Sequence, residues 1–166
     1  MTSFADRRGM RFAVWTFVFA FALWDAGPVT RNPVLREVLF WVGLVLPLVG
    51  VPVLLILAWT GWIGSVRPGM PAWRNGLGLT ALVITSLHWG FVALVIGVAL
   101  VRLCAGMPPA LLDQDYLQDY TKDVAMSMQL CDLVAIGLAV ALRRAPRIQV
   151  IVASILMFAG GMGGLL

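Results

Sequence analysis

Long apolar stretches recur along this sequence, and they restrict its fold more than any other feature. The stretches at 37–66 and 75–104 exceed the roughly 18 residues at which an apolar run indicates a transmembrane helix. Apolar residues form 61% of the chain and charged residues 12%, against about 45–50% and about 25% in soluble domains. A soluble domain of 166 residues has no interior large enough for such stretches. We therefore predict an all-α integral membrane helical bundle, with 1–166 as a single transmembrane domain.

Proline and glycine divide the apolar sequence into about five transmembrane helices. Segments such as "DAGPVTRNP", "RPGMP" and "RRAPR" lie between the stretches, and hydrophobic helices are expected to end there. The first stretch has a basic start like a secretory signal, but the bulky Trp24 lies where a signal peptidase prefers a small residue. We interpret it as a mature helix. The predicted spans are approximately 10–26, 37–66, 75–104, 121–142 and 148–166.

The distribution of arginine predicts the orientation of the bundle. With a cytoplasmic N-terminus, eight basic residues fall on the cytoplasmic side and four on the other, and the C-terminus lies outside. Six of the seven tryptophans then fall near the membrane boundaries, as an aromatic belt requires. Because most basic residues are at loop ends, the net charge of +4 gives little support to nucleic-acid binding. Eleven arginines against one lysine favour a GC-rich genome, and hence a bacterial cytoplasmic membrane. The eight cytoplasmic residues are Arg7, Arg8, Arg11, Arg67, Arg74, Arg143, Arg144 and Arg147.

The second span contains two prolines, Pro47 and Pro52. Each removes a backbone donor and crowds the preceding turn, so a kink is expected. One interpretation is a broken helix whose freed carbonyls line a substrate or ion site. The other, which we favour, is a long helix that bends, because about thirty residues make roughly 45 Å and exceed a hydrocarbon core of about 30 Å.

Small residues form candidate helix-packing surfaces in the third and fifth spans. In the third span they recur at spacings of four, three and four, which places them on one helix face. His88 points from the opposite face, and packing surfaces on both sides predict a central position for this helix. In the fifth span two glycines form a GxxxG motif, which suits contact within the bundle or with another subunit. The residues are Ser86, Gly90, Ala93, Gly97, Gly160 and Gly164.

Two ionisable residues are expected deep in the bilayer, His88 in the third span and Asp132 in the fourth. A charge there must be paired or neutralised, and antiparallel helices would bring the two to comparable depths. Thr85 and Gln129 lie one turn away on the same faces and are the predicted supporting residues. The pair would either carry protons or orient a substrate, or it would be a buried hydrogen bond that fixes the helix register. Neither residue belongs to a metal motif.

Three classes of function remain open on these observations. The first is a non-catalytic subunit or assembly factor of a larger membrane complex, whose partners are lipid and other membrane subunits. The second is a small proton-linked transporter or permease that uses His88, Asp132 and the proline-containing helix. The third is a pigment- or haem-binding subunit with His88 as a single axial ligand, and the cofactor itself stays unknown. An enzyme has less support, because the sequence lacks a nucleophile–base set at depth.

Overall fold

Five α-helices make up almost all of the computed structural model, which describes residues 4–64, 71–106 and 115–164. A short 3-10 turn, Ala139–Ala141, separates the last two helices, and the described residues include no β-strand. The all-α prediction is therefore confirmed. The helices are α1 (Phe4–Val29), α2 (Pro33–Ile63), α3 (Ala72–Cys104), α4 (Asp115–Leu138) and α5 (Arg144–Gly164).

Proline positions explain where α2 and α5 begin. Pro33 is the first residue of α2, and the side chain of Asn32 accepts from the backbone N–H groups of Val34 and Leu35 at 3.0 and 3.3 Å. Pro146 lies in the first turn of α5, where a backbone donor has no helical partner to lose. The chain therefore re-enters a helix at Arg144, four residues before the predicted start at 148.

The remaining boundaries also differ from the predicted spans. Helix α1 begins at Phe4 and extends to Val29, whereas the prediction was 10–26. Helix α4 gives way to the 3-10 turn after Leu138, so the predicted end at 142 is too late. Helix α2 continues through Pro47 and Pro52 without an interruption, so the interpretation as a broken helix is wrong.

Two helical segments, Val45–Ile63 and Ala72–Arg102, are long and apolar enough to span a membrane. Only 28% and 22% of the residues in their most apolar windows are buried. A core helix of a soluble protein would be mostly buried, so these two segments present apolar side chains outward instead. A shorter apolar segment, Met126–Ala141, combines the second half of α4 with the 3-10 turn, because the first part of α4 is polar up to Asp123.

Helix α5 is the central helix of the bundle, since it contacts each of the other four. Helix α3 contacts α2, α4 and α5 but not the described part of α1, so the predicted central position of α3 is wrong. Buried α5 residues contribute to both apolar cores. One core joins α1, α2 and α5 around Leu54 and Leu156, and the other joins α2, α3 and α5 around Leu82 and Val150.

The close helix contacts lie at glycines other than the predicted ones. A Cβ atom added at Gly50 would lie 2.7 Å from Thr16 Cγ2, and one added at Gly78 would lie 2.8 Å from Leu142 Cδ2. At Gly90 and Gly97 an added Cβ atom would meet nothing within 4 Å.

The predicted small-residue surface of α3 therefore does not pack against the described part of its own chain. Ala93 is exposed too, and Ser86 alone contacts a neighbouring helix through a hydrogen bond. Gly160 and Gly164 belong to α5, but their surroundings lie outside what the structure describes.

We expect Gly50→Ala to destabilise the bundle, because the new Cβ atom would overlap Thr16, whose hydroxyl is held by a hydrogen bond to the Phe12 carbonyl. Overpacking of this kind costs about 1–3 kcal/mol, more than the gain of up to about 1 kcal/mol from replacing glycine in a helix. The midpoint of thermal unfolding in mild detergent should fall for this variant. Gly90→Ala is the matched control and should leave the midpoint unchanged or higher. An equal fall in both variants would contradict the assignment of the close contact.

Candidate functional site

The structure brings His88 and Asp132 into direct contact. The imidazole Nδ1 of His88 lies 2.7 Å from Oδ2 of Asp132, a hydrogen bond between α3 and α4. Asp132 has no exposed surface and His88 is 7% exposed. With Asp132 ionised, the imidazole N–H donates to the carboxylate, and with Asp132 neutral its hydroxyl donates to Nδ1. Both arrangements give the carboxyl group the partner that an apolar environment requires.

The positions of the two residues along their helices account for this contact. His88 lies sixteen residues before the end of α3, and Asp132 lies seventeen residues after the start of α4. Because α3 and α4 pack against each other and are consecutive in the chain, equal distances from their connection place the two side chains at the same depth.

Two more side-chain hydrogen bonds leave the same short part of α3. The hydroxyl of Thr85 donates to the carbonyl of Ala81 at 2.9 Å, so the 3.2 Å bond between Thr85 and Ser154 has the Ser154 hydroxyl as its donor. The indole Nε1 of Trp59 donates to Ser86 Oγ at 3.0 Å. Residues 85–88 of α3 are therefore bonded to α2, α4 and α5.

Neither predicted supporting residue is hydrogen-bonded to the pair. Thr85 is bonded to Ser154 in α5, and Gln129 is half-buried with no hydrogen bond among the described residues. The second carboxyl oxygen of Asp132, Oδ1, is buried and lacks a partner there as well. Of the four residues predicted for the site, only His88 and Asp132 are bonded to each other. Thr85 forms a separate contact with Ser154.

Sequence reasoning missed Ser154 and the role of Trp59. Ser154 is a buried hydroxyl in the middle of the central helix, and a lone serine in an apolar helix carries little signal of its own. Trp59 is one of the six tryptophans predicted to lie at the membrane boundaries, but its indole N–H donates to Ser86 inside the bundle.

At one end of the bundle, arginine side chains donate hydrogen bonds to backbone carbonyl groups just after α4 ends. Arg74 Nε donates to the carbonyl of Ala141 at 3.0 Å. Arg147 donates to the carbonyl of Leu142 from Nε and Nη2 at 3.2 and 2.8 Å. Cations stabilise the unpaired carbonyls at a helix C-terminus. Two arginines that were counted for topology thus also hold the α4–α5 connection.

The pair is closed to its surroundings. A shallow cavity of about 390 Å³ lies on the distal half of α3, and none of its lining residues belongs to the pair. No group of three or more His, Cys, Asp and Glu side chains that could hold a metal ion occurs among the residues that the structure describes. As an axial ligand, His88 would need an open face for a macrocycle, and its ring is almost completely buried.

No family model matches the sequence, and neither the curated proteins nor the solved structures include a match to it.

We expect Asp132→Asn to fold and Asp132→Leu to be destabilised. Asparagine keeps a side-chain oxygen that can accept from His88, whereas leucine leaves a buried imidazole without its partner, at a cost of about 1–3 kcal/mol. Thermal unfolding in mild detergent measures the difference. Val134→Leu, on the exposed face of α4, is the control and should not change the unfolding midpoint. If Asp132→Leu unfolds at the same temperature as the unmodified protein, the contact does not stabilise the bundle.

Proposed function

We propose that the chain is a five-span membrane protein that acts as a non-catalytic subunit or assembly factor of a larger membrane complex. The outward apolar surfaces of α2 and α3 support placement in a bilayer. The shortest helix, α5, has 21 residues and at 1.5 Å per residue is about 31 Å long, which matches a hydrocarbon core of about 30 Å. The contacts of α1 and α5 with α2 support placing these two helices in the same membrane as α2.

A cluster of basic residues at one end of the bundle supports the proposed orientation. Gly9 of α1 lies against Gln149 of α5, and Gly61 of α2 lies against Pro146. These contacts place the start of α1 beside the start of α5, so the arginines of both segments share one end, which the positive-inside pattern assigns to the cytoplasm. The arginines at this end are Arg7, Arg8, Arg11, Arg74, Arg143, Arg144 and Arg147.

The closed His88–Asp132 contact is the observation that favours a non-catalytic role. A transporter needs its ionisable site to reach water or substrate from one side at a time. This pair is buried, and the cavity on α3 is lined by other residues. Its bond joins two helices, as a structural contact would. Uncovered apolar faces on α1, α3 and α4, in a bundle whose described residues form no accessible polar site, suit contact with other membrane proteins.

The tautomer favoured by the contact supports a second candidate, a proton-linked permease. A carboxylate that accepts from Nδ1–H of a histidine leaves Nε2 as the free basic nitrogen, an arrangement common to proton relays and metal sites. The buried Oδ1 of Asp132 adds an unused acceptor. This candidate requires a movement that opens the pair to water.

The orientation predicts that a single cysteine added after Leu166 reacts with a membrane-impermeant thiol reagent from outside the cell. Cys104 and Cys131 are first replaced by serine, so that only the added thiol is measured. A matched chain with the cysteine added before Met1 should react only after the membrane is opened. Labelling of the C-terminal cysteine only from the cytoplasmic side would contradict five spans.

Two measurements separate the proposed functions. Native mass spectrometry of the protein, extracted in mild detergent from cells that make it naturally, should show a stoichiometric membrane-protein partner. In sealed vesicles with an internal pH dye, the purified protein and Asp132→Asn should show the same proton flux as empty vesicles. Flux that is present in the unmodified protein and lost in Asp132→Asn, without a partner in the mass spectrum, would overturn the subunit proposal in favour of the permease.

A further inference from the structure

Helix α4 is held to the bundle along a narrow buried strip. Among the α4 residues whose side chains the structure describes, Asp132 and Ala135 are the buried ones, and neither has any exposed surface. They lie three residues apart and so share one face of the helix. The buried residues of both apolar cores come from the other helices, the 3-10 turn and Leu142. Apolar burial therefore contributes little to the position of α4, and the bond from Asp132 to His88 is its polar anchor on α3.

The other charged and titratable groups on the helices around this pair lie away from it. In α2, α3 and α5 they lie within five residues of a helix end. In α4 they lie at 115–123, at least nine residues before Asp132, apart from the exposed Cys131. The groups of α2, α3 and α5 are Arg36, Glu37, Arg74, Arg102, Cys104, Arg144 and Arg147. Within the described part of the chain, His88 and Asp132 therefore titrate as an isolated pair.

The pair has no net charge only while its two members share one titratable proton. With one proton, the contact joins either a carboxylate to an imidazolium or a carboxylic acid to a neutral imidazole. Uptake of a second proton from water leaves a net positive charge, and loss of the proton to water leaves a net negative charge. The buried Oδ1 of Asp132 has no partner among the described residues that could compensate either charge. Both changes therefore cost free energy while the pair is buried.

We propose that the His88–Asp132 pair is a proton-dependent switch that controls the docking of α4. Helix α4 stays docked while the pair holds one proton, and a gain or loss of a proton favours its separation from α3, because separation lets the charged group reach a more polar environment. The outward residues Leu130 and Leu133 are already exposed. Movement of α4 therefore leaves most of its apolar contacts with the surroundings unchanged.

The proton count predicts the form of the pH dependence. Free carboxyl and imidazole groups titrate near about pH 4 and about pH 6.5. When α4 is open, the two groups together bind two protons below the first value, one between the two values and none above the second. When α4 is docked, they bind one. The equilibrium constant for opening should therefore be lowest between about pH 4 and about pH 6.5, and should rise about tenfold per pH unit along an acid limb and an alkaline limb.

Hydrogen exchange of the full chain in mild detergent, measured by mass spectrometry, tests this switch without a substitution. Exchange of the amides at 126–138 in α4 is divided by exchange of the α5 amides in the same sample, which removes the intrinsic dependence of exchange on pH. We expect this exchange ratio to be lowest between about pH 4 and about pH 6.5 and to rise on both sides. A flat ratio, including one in which both helices lose protection together, would overturn the proposal.

Two substitutions should each remove one limb. In Asp132→Asn the amide cannot lose a proton, so the exchange ratio should be flat at alkaline pH and should rise as the pH falls below about 6.5. In His88→Asn the amide cannot gain a proton, so the ratio should be flat at acid pH and should rise as the pH increases above about 4. His88→Gln replaces His88→Asn if the latter fails to fold.

The control is Asp123→Asn, which removes an exposed carboxylate of the same helix and should keep both limbs. A limb that persists in the double variant Asp132→Asn/His88→Asn would belong to other groups and would overturn the proposal.

The switch does not depend on the proposed role as a subunit of a complex. A pH-dependent exchange ratio without a protein partner in native mass spectrometry would contradict the subunit proposal alone. A stoichiometric partner together with a flat exchange ratio would contradict the switch alone.

Discussion

A carboxyl group surrounded by apolar helices has to find a partner within its own bundle, and the arrangement of α3 and α4 follows from that constraint. A buried polar group left without a partner costs about 1–3 kcal/mol, and more when it is charged. Asp132 is buried and has one short hydrogen bond, to His88. The bond also fixes the register of α4 against α3, since a shift of one residue along either helix would rotate one of the two side chains by about 100°.

The other polar contacts of α3 also hold this helix in place against its neighbours. From Arg74 to His88 the helix is tied to its neighbours by side-chain hydrogen bonds to Ala141, Ser154, Trp59 and Asp132. A hydrogen bond within a protein contributes about 0.5–1.5 kcal/mol to its stability, so no single one determines the fold. The close approaches at Gly50 and Gly78 add van der Waals contact between α1 and α2, and between α3 and the α4–α5 connection.

The sequence predicts how far along its helix each polar residue lies. It does not predict how each helix is rotated about its axis or which helices it packs against. The contact between His88 and Asp132 follows from their equal distances to one connection, and both the helix count and the break before α5 follow from apolar length and proline. The partner of Thr85 could not be inferred, because α5 comes last in the chain and still occupies the centre. The packing glycines were misassigned for a related reason. A small-residue pattern shows where a helix can approach, whereas the neighbours decide whether one does.

Helix α3 therefore has two parts with different physical support. Up to His88 its side chains are held by α2, α4 and α5, and His88 is the last residue along the helix with a side-chain hydrogen bond to another described helix. Beyond it, a Cβ atom added at Gly90 or Gly97 would meet nothing within 4 Å, and the large exposed residues of the helix are apolar. The position of α3 in the bundle is therefore set by its first half, where its described interhelical side-chain hydrogen bonds are concentrated.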